Sequence, residues 1–250
     1  SLRGLFSDIF SVMKNRNYRA LLFGLFFLAV TAGTHETLSL YVATFLWDLN
    51  SYQLGFLILG NIVGTHLAFA VTPTLHQRFD RRWAIFWSCL IFSIFWSMPT
   101  NLKLLGIGPD AATWNAVLFI GCLKVISVCA GVVLTISVMA ALADIADEHD
   151  LLTGQRQEGI FYSARTFFSK AMNAFGHIVA GFAIDYYIKL PPKSVPGEVA
   201  EDVVFRLGII DGPFAMLWGI VGAFVYLGYR IDRQRYEEIR TQLDQRKLLP

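Results

Sequence analysis

Six long apolar segments set the strongest constraint on what this chain can fold into. They cover residues 20–47, 52–75, 83–105, 113–143, 159–187 and 204–229. A helix that crosses the hydrocarbon core of a bilayer needs about 20 mostly apolar residues, and each segment is longer than that. The sequence therefore predicts an all-α membrane protein, with six transmembrane helices forming one bundle over residues 20–230.

Charged residues are too scarce for a soluble domain. They make up 16% of the 250 residues, while hydrophobic residues make up 55%; soluble domains contain about 25% charged residues. The sequence has no basic block with interleaved aromatic residues, and its three cysteines lack the spacing of a zinc site or disulfide framework. We therefore expect the lipid bilayer as a partner, and no nucleic acid, metal site or cofactor.

Lysine and arginine are distributed unevenly between the two ends of the predicted bundle. Fourteen of them fall on the side that holds both chain ends, and four fall on the other side. Positively charged residues next to membrane spans remain in the cytoplasm. We therefore predict a multi-pass protein of the cell inner (plasma) membrane with cytoplasmic termini. Residues 1–19 would form a cytoplasmic linker or interfacial helix, and residues 231–250 a cytoplasmic tail.

Ionisable residues inside the predicted spans indicate a polar pathway. They are His35, Glu36, Lys124, Arg165 and Lys170. An ionisable group at bilayer depth costs about 3 kcal/mol or more, so such residues usually face a cavity. Glu36 could bind a proton or cation, or form a structural ion pair with one of the cations. For Lys124 we expect a structural ion pair.

The fifth span carries a polar stripe along one face. At about 100° per residue, five polar side chains fall together: Tyr162, Thr166, Lys170, Asn173 and His177. Hydroxyl, ammonium, amide and imidazole groups on one face are typical of a helix beside a water-filled cavity. Snorkelling of Lys170 to the interface and pairing with Glu36 are the alternatives. We predict that the stripe lines a substrate cavity.

A motif of fixed spacing runs from the end of the fourth span into the fifth. Residues 143–170 read A-D-x-x-D-x-x-D-x-x-x-G-x-R-x-E-G-I-x-Y-S, with a lysine seven residues after the serine. This pattern resembles the signature of the glycoside–pentoside–hexuronide:cation symporters, the melibiose permease-like branch of the major facilitator superfamily. The basic segment 76–82 and the tail resemble the same family more loosely.

The resemblance implies a fold and an activity for the whole chain. The six spans would be helices seven to twelve, the C-terminal half of a twelve-helix major facilitator fold. The protein would be a cation-coupled symporter of a sugar, sugar acid or related small solute, working by alternating access. Its further partners would be the missing N-terminal six-helix half and a coupling cation, Na⁺ or H⁺, bound mainly in that half.

The resemblance also implies a cytoplasmic gate around the connection between the fourth and fifth spans. Its residues would be Asp144, Asp147, Asp150, Arg156 and Glu158. They would close the cytoplasmic side through ion pairs within this loop and to the other half. Ion pairs near the surface are individually weak, so they can break and reform during transport. The alternative is an acidic loop that is only solvated.

The resemblance assigns Thr166 and Lys170 to the substrate cavity. With the stripe and the neighbouring departures from the family, the expected cavity residues are Tyr162, Thr166, Lys170, Asn173, Thr135, Arg165 and Glu36. Sugar-transporting members often have an aromatic platform where this chain has Thr135, and Arg165 adds a second cation beside the stripe. These departures favour an acidic sugar, such as a hexuronide, or a zwitterionic lipid headgroup.

Three alternatives to a sugar symporter remain at this point. One is a lysolipid-type symporter of the same clan, and another is a member that binds its ligand without moving it. The third is a membrane-embedded lipid enzyme that uses His35 and Glu36 as acid–base groups. The spans contain no nucleophile triad, paired carboxylates or metal ligands at workable spacing, and no phosphate loop. We therefore expect no enzyme activity.

Overall fold

The computed structural model describes residues 13–155, 157–191 and 193–248, and these residues form helices and connections without a β-strand among them. The described helices are α1 (Arg16–Leu46), α2 (Ser51–Arg78), α3 (Arg81–Leu104), α4 (Trp114–Thr153), α5 (Glu158–Phe182), α6 (Glu201–Tyr226) and α7 (Arg233–Leu248). Short π-helical turns end α1 at Val42–Leu46, extend α5 over Ala183–Ile188 and interrupt α6 at Ile210–Phe214. The predicted all-α fold is confirmed.

Five of the described helices, α1 to α4 and α6, are long and apolar enough to cross a membrane. The remaining predicted span, α5, is a helix of 25 residues that continues through the π-helical turn. It is not among the five, and it carries Arg165 and Lys170 within its length. The chain is a multi-pass membrane protein.

Helix ends differ from the prediction on the side of the bundle that holds both chain ends. We call this side, with residues 13–19 and 227–248, the terminal end, and the side with residues 47–50 and 105–113 the opposite end. At the terminal end α1 begins at Arg16, inside the predicted linker, because the side chain of Asn15 accepts a hydrogen bond from the backbone of Tyr18 at 3.0 Å. Residues 1–12 of that linker lie outside the described residues.

The acidic residues predicted in a loop lie instead on a helix. α4 continues to Thr153, past the predicted end at residue 143, and stops where Gly154 adopts a left-handed conformation with φ of 72°. Glycine takes up this conformation without steric cost, so it ends helices often. Asp144, Asp147 and Asp150 are therefore helical, and their prediction as loop residues is wrong.

The helices pack mainly in a row. In order, α5 contacts α1, α1 contacts α6, α6 contacts α3, α3 contacts α4, and α4 contacts α2. The outermost helix α2 exposes a series of large apolar side chains, including Ile58, Leu59 and Val63. Smaller contacts also join α1 to α4 and α4 to α5.

Glycines bring two helix pairs into backbone contact. A Cβ atom at Gly176 of α5 would lie 2.5 Å from the carbonyl oxygen of Ala29 on α1. A Cβ atom at Gly64 of α2 would lie 2.7 Å from the carbonyl oxygen of Val125 on α4. Helix pairs in membranes are commonly held by such close approach, because lipid supplies no hydrophobic force between them. The glycines therefore fix where α5 and α2 sit.

Two hydrophobic clusters form the core, one towards each end of the bundle. The cluster at the terminal end includes Tyr18, Ile145 and Phe161, together with Ile239 of α7. The cluster at the opposite end includes Trp47 and other apolar residues of α1, α2, α4 and α6. Since Ile239 is fully buried, α7 is packed against the bundle instead of extending away as a free tail.

Candidate functional site

The predicted stripe on α5 lies on a partly exposed face of the helix. Thr166 and Lys170 are exposed, while Tyr162 and Asn173 are half-buried. The Lys170 ammonium has no hydrogen-bond or ion-pair partner among the described residues. Next to the stripe, Gly176 brings α5 into backbone contact with α1. The stripe therefore presents an uncompensated cation on a polar helix face.

Glu36 extends this face onto α1. Its carboxylate lies 3.5 Å from Nε2 of His177, and Nδ1 of the same ring lies 2.8 Å from Oγ1 of Thr37. The ring therefore links α5 to α1 beside the Gly176 contact. The structural pairs considered for Glu36 with Lys124, Arg165 or Lys170 do not occur within the described part of the chain.

Two further predicted cavity residues, Thr135 and Arg165, form no hydrogen bond to the stripe among the described residues. Thr135 is exposed on α4, and its hydroxyl donates to the Gly131 carbonyl of its own helix at 2.9 Å. Arg165 is half-buried, its Nε atom has no hydrogen-bond partner in the described structure, and it acts electrostatically on the buried Tyr18 and Tyr226. Neither side chain forms a hydrogen bond to a stripe residue in the described parts.

The first residue of the predicted gate, Asp144, is the centre of a buried cluster at the terminal end. It is 2% exposed, forms an ion pair with Arg81 of α3 and accepts a hydrogen bond from the Tyr229 hydroxyl at 2.8 Å. Burial, reinforced by the neighbouring Asp144 carboxylate, raises the pKa of Tyr229, so this hydroxyl remains a donor. The Arg81 guanidinium also lies 4.7 Å from the Tyr236 ring of α7. Asp144 therefore ties α4 to α3, to the segment after α6 and, through Arg81, to α7.

The other gate residues differ in what they contact. The carboxylate of Asp150 pairs with Arg246 of α7 at 2.5 Å. The nearby Glu148, which was not assigned to the gate, accepts hydrogen bonds from Asn15 at 3.2 Å and Asn17 at 2.9 Å. Asp147 lies on α4 and Glu158 begins α5, while Arg156 lies outside the described residues. The ion pairs of Asp144 and Asp150 thus join helices of this bundle.

The structure contains an internal polar cluster that was not predicted from the sequence. Asp211 in the π-helical turn of α6 accepts a hydrogen bond from the Thr100 hydroxyl at 2.7 Å, and its other oxygen lies 2.8 Å from Nδ1 of His35. Nε2 of His35 lies 2.9 Å from the Ser97 hydroxyl. The signal in the sequence was a lone aspartate well inside the sixth apolar segment, directly before Gly-Pro.

This cluster borders a cavity between α1, α3, α4 and α6. The cavity has an empty volume of about 630 Å³ including its open mouth, and Lys124 of α4 lines it together with His35 and Asp211. The structural ion pair expected for Lys124 is not formed with any described residue. The cavity therefore holds a cation and a carboxylate that face the same space without direct contact.

These features define a class of protein. Apolar membrane-crossing helices, with charged side chains on an open helix face and in an internal cavity, are typical of membrane transporters. No group of His, Cys, Asp and Glu side chains in the described residues could hold a metal ion.

The comparisons with known proteins agree with this class. A family model described as "MFS/sugar transport protein" matches residues 3–233, so the chain belongs to this family. It is therefore a transporter-family protein and not an enzyme, and the alternative of a membrane-embedded lipid enzyme is wrong.

Two curated relatives are similar to the chain at low identity. The glucuronide carrier protein homolog of Escherichia coli K12 is 22% identical over 95% of this chain and 49% of its own length. An uncharacterized symporter of Synechocystis is 24% identical over 80% of this chain and 35% of its own length. The chain thus spans about half the length of the curated relatives it matches, or less. The resemblance to sugar and hexuronide symporters is confirmed at the level of the family.

Proposed function

We propose that this chain acts as the C-terminal half of a cation-coupled symporter for a sugar acid in the plasma membrane. The observation that carries the proposal is the open polar face of α5, where the exposed ammonium of Lys170 has no partner among the described residues. A transporter binds its substrate near the bilayer midplane, between two halves that rock around it. Lys170 lies in the middle part of α5, where such a site would be.

The charge balance of this face favours an acidic substrate. Glu36 lies beside His177 and leaves Lys170 uncompensated. An ammonium group in a low-dielectric surrounding binds a carboxylate more strongly than a neutral hydroxyl. The name of one relative, a glucuronide carrier homolog, supports the same substrate class. A hexuronide would offer its carboxylate to Lys170 and its hydroxyls to Thr166 and Asn173.

Alternating access requires contacts that open and close at one end of the bundle. We place the terminal end in the cytoplasm, because it carries the excess of lysine and arginine. The exposed pair of Asp150 with Arg246 is a contact of the kind that can break and reform at low cost. The exposed stripe of α5 would face the second half of the transporter, with Thr135 and Arg165 near the edges of that interface.

Counterflow in proteoliposomes tests this proposal. Proteoliposomes that contain the full-length protein would be loaded with unlabelled methyl β-D-glucuronide and assayed for uptake of the labelled sugar. Methyl β-D-glucoside is the neutral counterpart. Loss of a hydrogen bond to a charged group costs about 1.5 kcal/mol or more, so Lys170→Ala should lower glucuronide counterflow about tenfold. Lys170→Arg should retain part of it. Lys189→Ala, an exposed lysine after α5, is the matched control.

Each result has a defined meaning. Glucuronide counterflow that is unchanged in Lys170→Ala would contradict the role of the α5 face. Equal counterflow of glucuronide and glucoside would contradict an acidic substrate while leaving a sugar transporter. Counterflow of a labelled lysophospholipid, together with no counterflow of either sugar, would favour the lysolipid-type alternative.

A further inference from the structure

The buried cluster of His35, Ser97, Thr100 and Asp211 is built like a site for a proton. His35 is 1% exposed and Asp211 is 4% exposed. Both ring nitrogens and both carboxylate oxygens have a hydrogen-bond partner, at distances of 2.7 to 2.9 Å. A carboxylate buried within a membrane-crossing bundle is costly and usually functional. Its partner is the one side chain whose ordinary titration falls near neutral pH.

The backbone around Asp211 is unusual in the same place. The π-helical turn Ile210–Phe214 contains the aspartate and also Pro213. Single π-helical turns within α-helices occur frequently at functional sites. The turn joins the two α-helical parts of α6 and places Asp211 opposite α1 and α3.

Two other charged side chains near Asp211, Lys103 and Arg206, have partners elsewhere. On α3, Nζ of Lys103 lies 5.0 Å from the centre of the Trp47 ring and 3.5 Å from the Pro109 carbonyl oxygen. On α6 itself, Arg206 pairs with Asp202 at 2.6 Å.

Only two titratable side chains therefore face Asp211 within the described structure. His35 of α1 is in direct hydrogen-bond contact with it, and Lys124 of α4 lies across the shared cavity. The facing groups of α3, Ser97 and Thr100, are hydroxyls and carry no charge.

We propose that His35 and Asp211 together form a proton-binding site in this half of the transporter. The inference rests on the proposed symport function and adds to it, since the family resemblance puts the coupling cation mainly in the other half. With the proton of a neutral imidazole on Nδ1, His35 donates to Asp211 and its Nε2 accepts from Ser97. An incoming proton binds at Nε2, and the Ser97 hydroxyl turns from donor to acceptor.

The bound proton changes the charge of the cavity. Before binding, the Asp211 carboxylate balances the Lys124 ammonium across the cavity. After binding, the His35–Asp211 pair is neutral and the bundle carries one more positive charge. In a low-dielectric surrounding this added charge favours an anion in the transporter, including a sugar acid bound at Lys170. Linkage is reciprocal, so a bound acidic sugar would raise the affinity for the proton by the same factor. This reciprocal effect would couple the flux of the proton to the flux of the sugar.

Tryptophan fluorescence reports the proton without a substrate. Trp96 stacks on His35, with ring centres 4.8 Å apart and an angle of 10° between the planes. A protonated imidazole in such a stack binds the indole face and quenches its emission. The signal of Trp96 is obtained by subtracting a pH titration of Trp96→Phe from that of the full-length protein. We expect one step in this pH titration.

Variants assign this step to the pair. His35→Gln should abolish the step. Asp211→Asn should move the step to lower pH, because the charge that favours the imidazolium is removed. Asp202→Asn, a matched change in the same helix, should leave the step in place. A step at the same pH in Asp211→Asn, or the absence of any Trp96 step in the unmodified protein, would overturn the proposal.

Proton-driven uptake tests the coupling in vesicles. With one proton per substrate, a gradient of one pH unit should accumulate methyl β-D-glucuronide about tenfold in the unmodified protein. In Asp211→Asn the accumulation should disappear, while counterflow without a gradient remains. Asp202→Asn should accumulate normally. Uphill accumulation by Asp211→Asn, or accumulation driven by Na⁺ alone in the unmodified protein, would overturn the proposal and leave the symport function intact.

Two further results, a lack of counterflow and misfolding of Asp211→Asn, also have a defined meaning. If the unmodified protein shows no counterflow, the proposed function fails, and the fluorescence titration still decides the proton site. If Asp211→Asn does not fold, His35→Gln takes its place, because it keeps the carboxylate and a hydrogen-bond donor. Loss of the fluorescence step and of proton-driven accumulation in His35→Gln supports the proposal; retention of both overturns it.

Discussion

Two buried aspartates occupy opposite parts of the bundle and have partners of different chemistry. Asp144 at the terminal end is held by Arg81 and the Tyr229 hydroxyl. Asp211 in the interior is held by His35 and the Thr100 hydroxyl. Each carboxylate thus has one nitrogen partner and one hydroxyl partner from other segments of the chain. The nitrogen partner is an arginine in one case and a histidine in the other.

This difference in the nitrogen partner separates a permanent contact from a titratable one. A guanidinium group remains charged throughout the pH range of a living cell, whereas an imidazole gains or loses its proton there. The pair of Asp144 and Arg81 is therefore suited to hold helices together. The pair of Asp211 and His35 is suited to take up and release a proton. Substitutions at the two sites should therefore affect different measurements.

The largest stability effect is expected from Asp144→Ala. The change leaves the partly buried Arg81 without its counter-ion and Tyr229 without its acceptor, which should cost about 3 kcal/mol. Asp211→Ala should cost less, because the partners left behind, the neutral His35 imidazole and the Thr100 hydroxyl, carry no charge. The measurement is the thermal unfolding midpoint in detergent, with Asp202→Ala as the exposed control. Equal midpoints for the Asp144 and Asp211 variants would contradict the distinction.

A second experiment converts the permanent contact into a titratable one. In Arg81→His, the unpaired imidazole of the unfolded chain loses its proton near about pH 6.5, and pairing with Asp144 in the folded state holds that proton to higher pH. The stabilisation should therefore be complete below about pH 6.5 and should be lost as the pH rises above it, with a fall in the unfolding midpoint and a loss of about 1.5 kcal/mol in the free energy of unfolding. Arg82→His, one residue away and without a contact to Asp144, is the control. A pH dependence no steeper than that of the control would show that the Arg81 charge contributes little.

The smallest effect is expected at the exposed pair of Asp150 and Arg246. Arg246 is 44% exposed and Asp150 is 15% exposed, and ion pairs of this kind are worth less than about 1 kcal/mol. Arg246→Gln should change the unfolding midpoint little and should speed counterflow if opening of this end limits transport. Arg235→Gln, which breaks a pair within α7, is the control. A large loss of stability would mean that the pair is a structural contact like that of Asp144.

The sequence predicted the region of Asp144 but not its surroundings. The spacing of charged residues from Asp144 to Lys170 identified the family, and the apolar segments identified the spans. The local pattern contains no information about Arg81 or Tyr229, which reach Asp144 from distant parts of the chain. The end of α4 was also misplaced, because the charged residues after residue 143 suggested a loop while helical hydrogen bonding continues to Thr153.

Asp211 was missed for a related reason. Its segment is otherwise apolar, and a single aspartate does not interrupt such a pattern or form a stripe. His35 was recognised as an intramembrane residue, yet its partners lie on α3 and α6, which only the folded bundle brings together. The stripe of α5 was predictable, because helical periodicity alone places those residues on one face.

The number of protons taken up when substrate binds tests the central distinction most directly. Methyl β-D-glucuronide would be added to the purified full-length protein in weakly buffered detergent solution, and the pH change would be read with an indicator dye. At a pH just above the Trp96 fluorescence step, uptake of up to one proton per bound sugar is expected for the unmodified protein and none for Asp211→Asn. Arg246→Gln should behave as the unmodified protein does. One proton per sugar in Asp211→Asn would contradict the assignment of the proton to the His35–Asp211 pair.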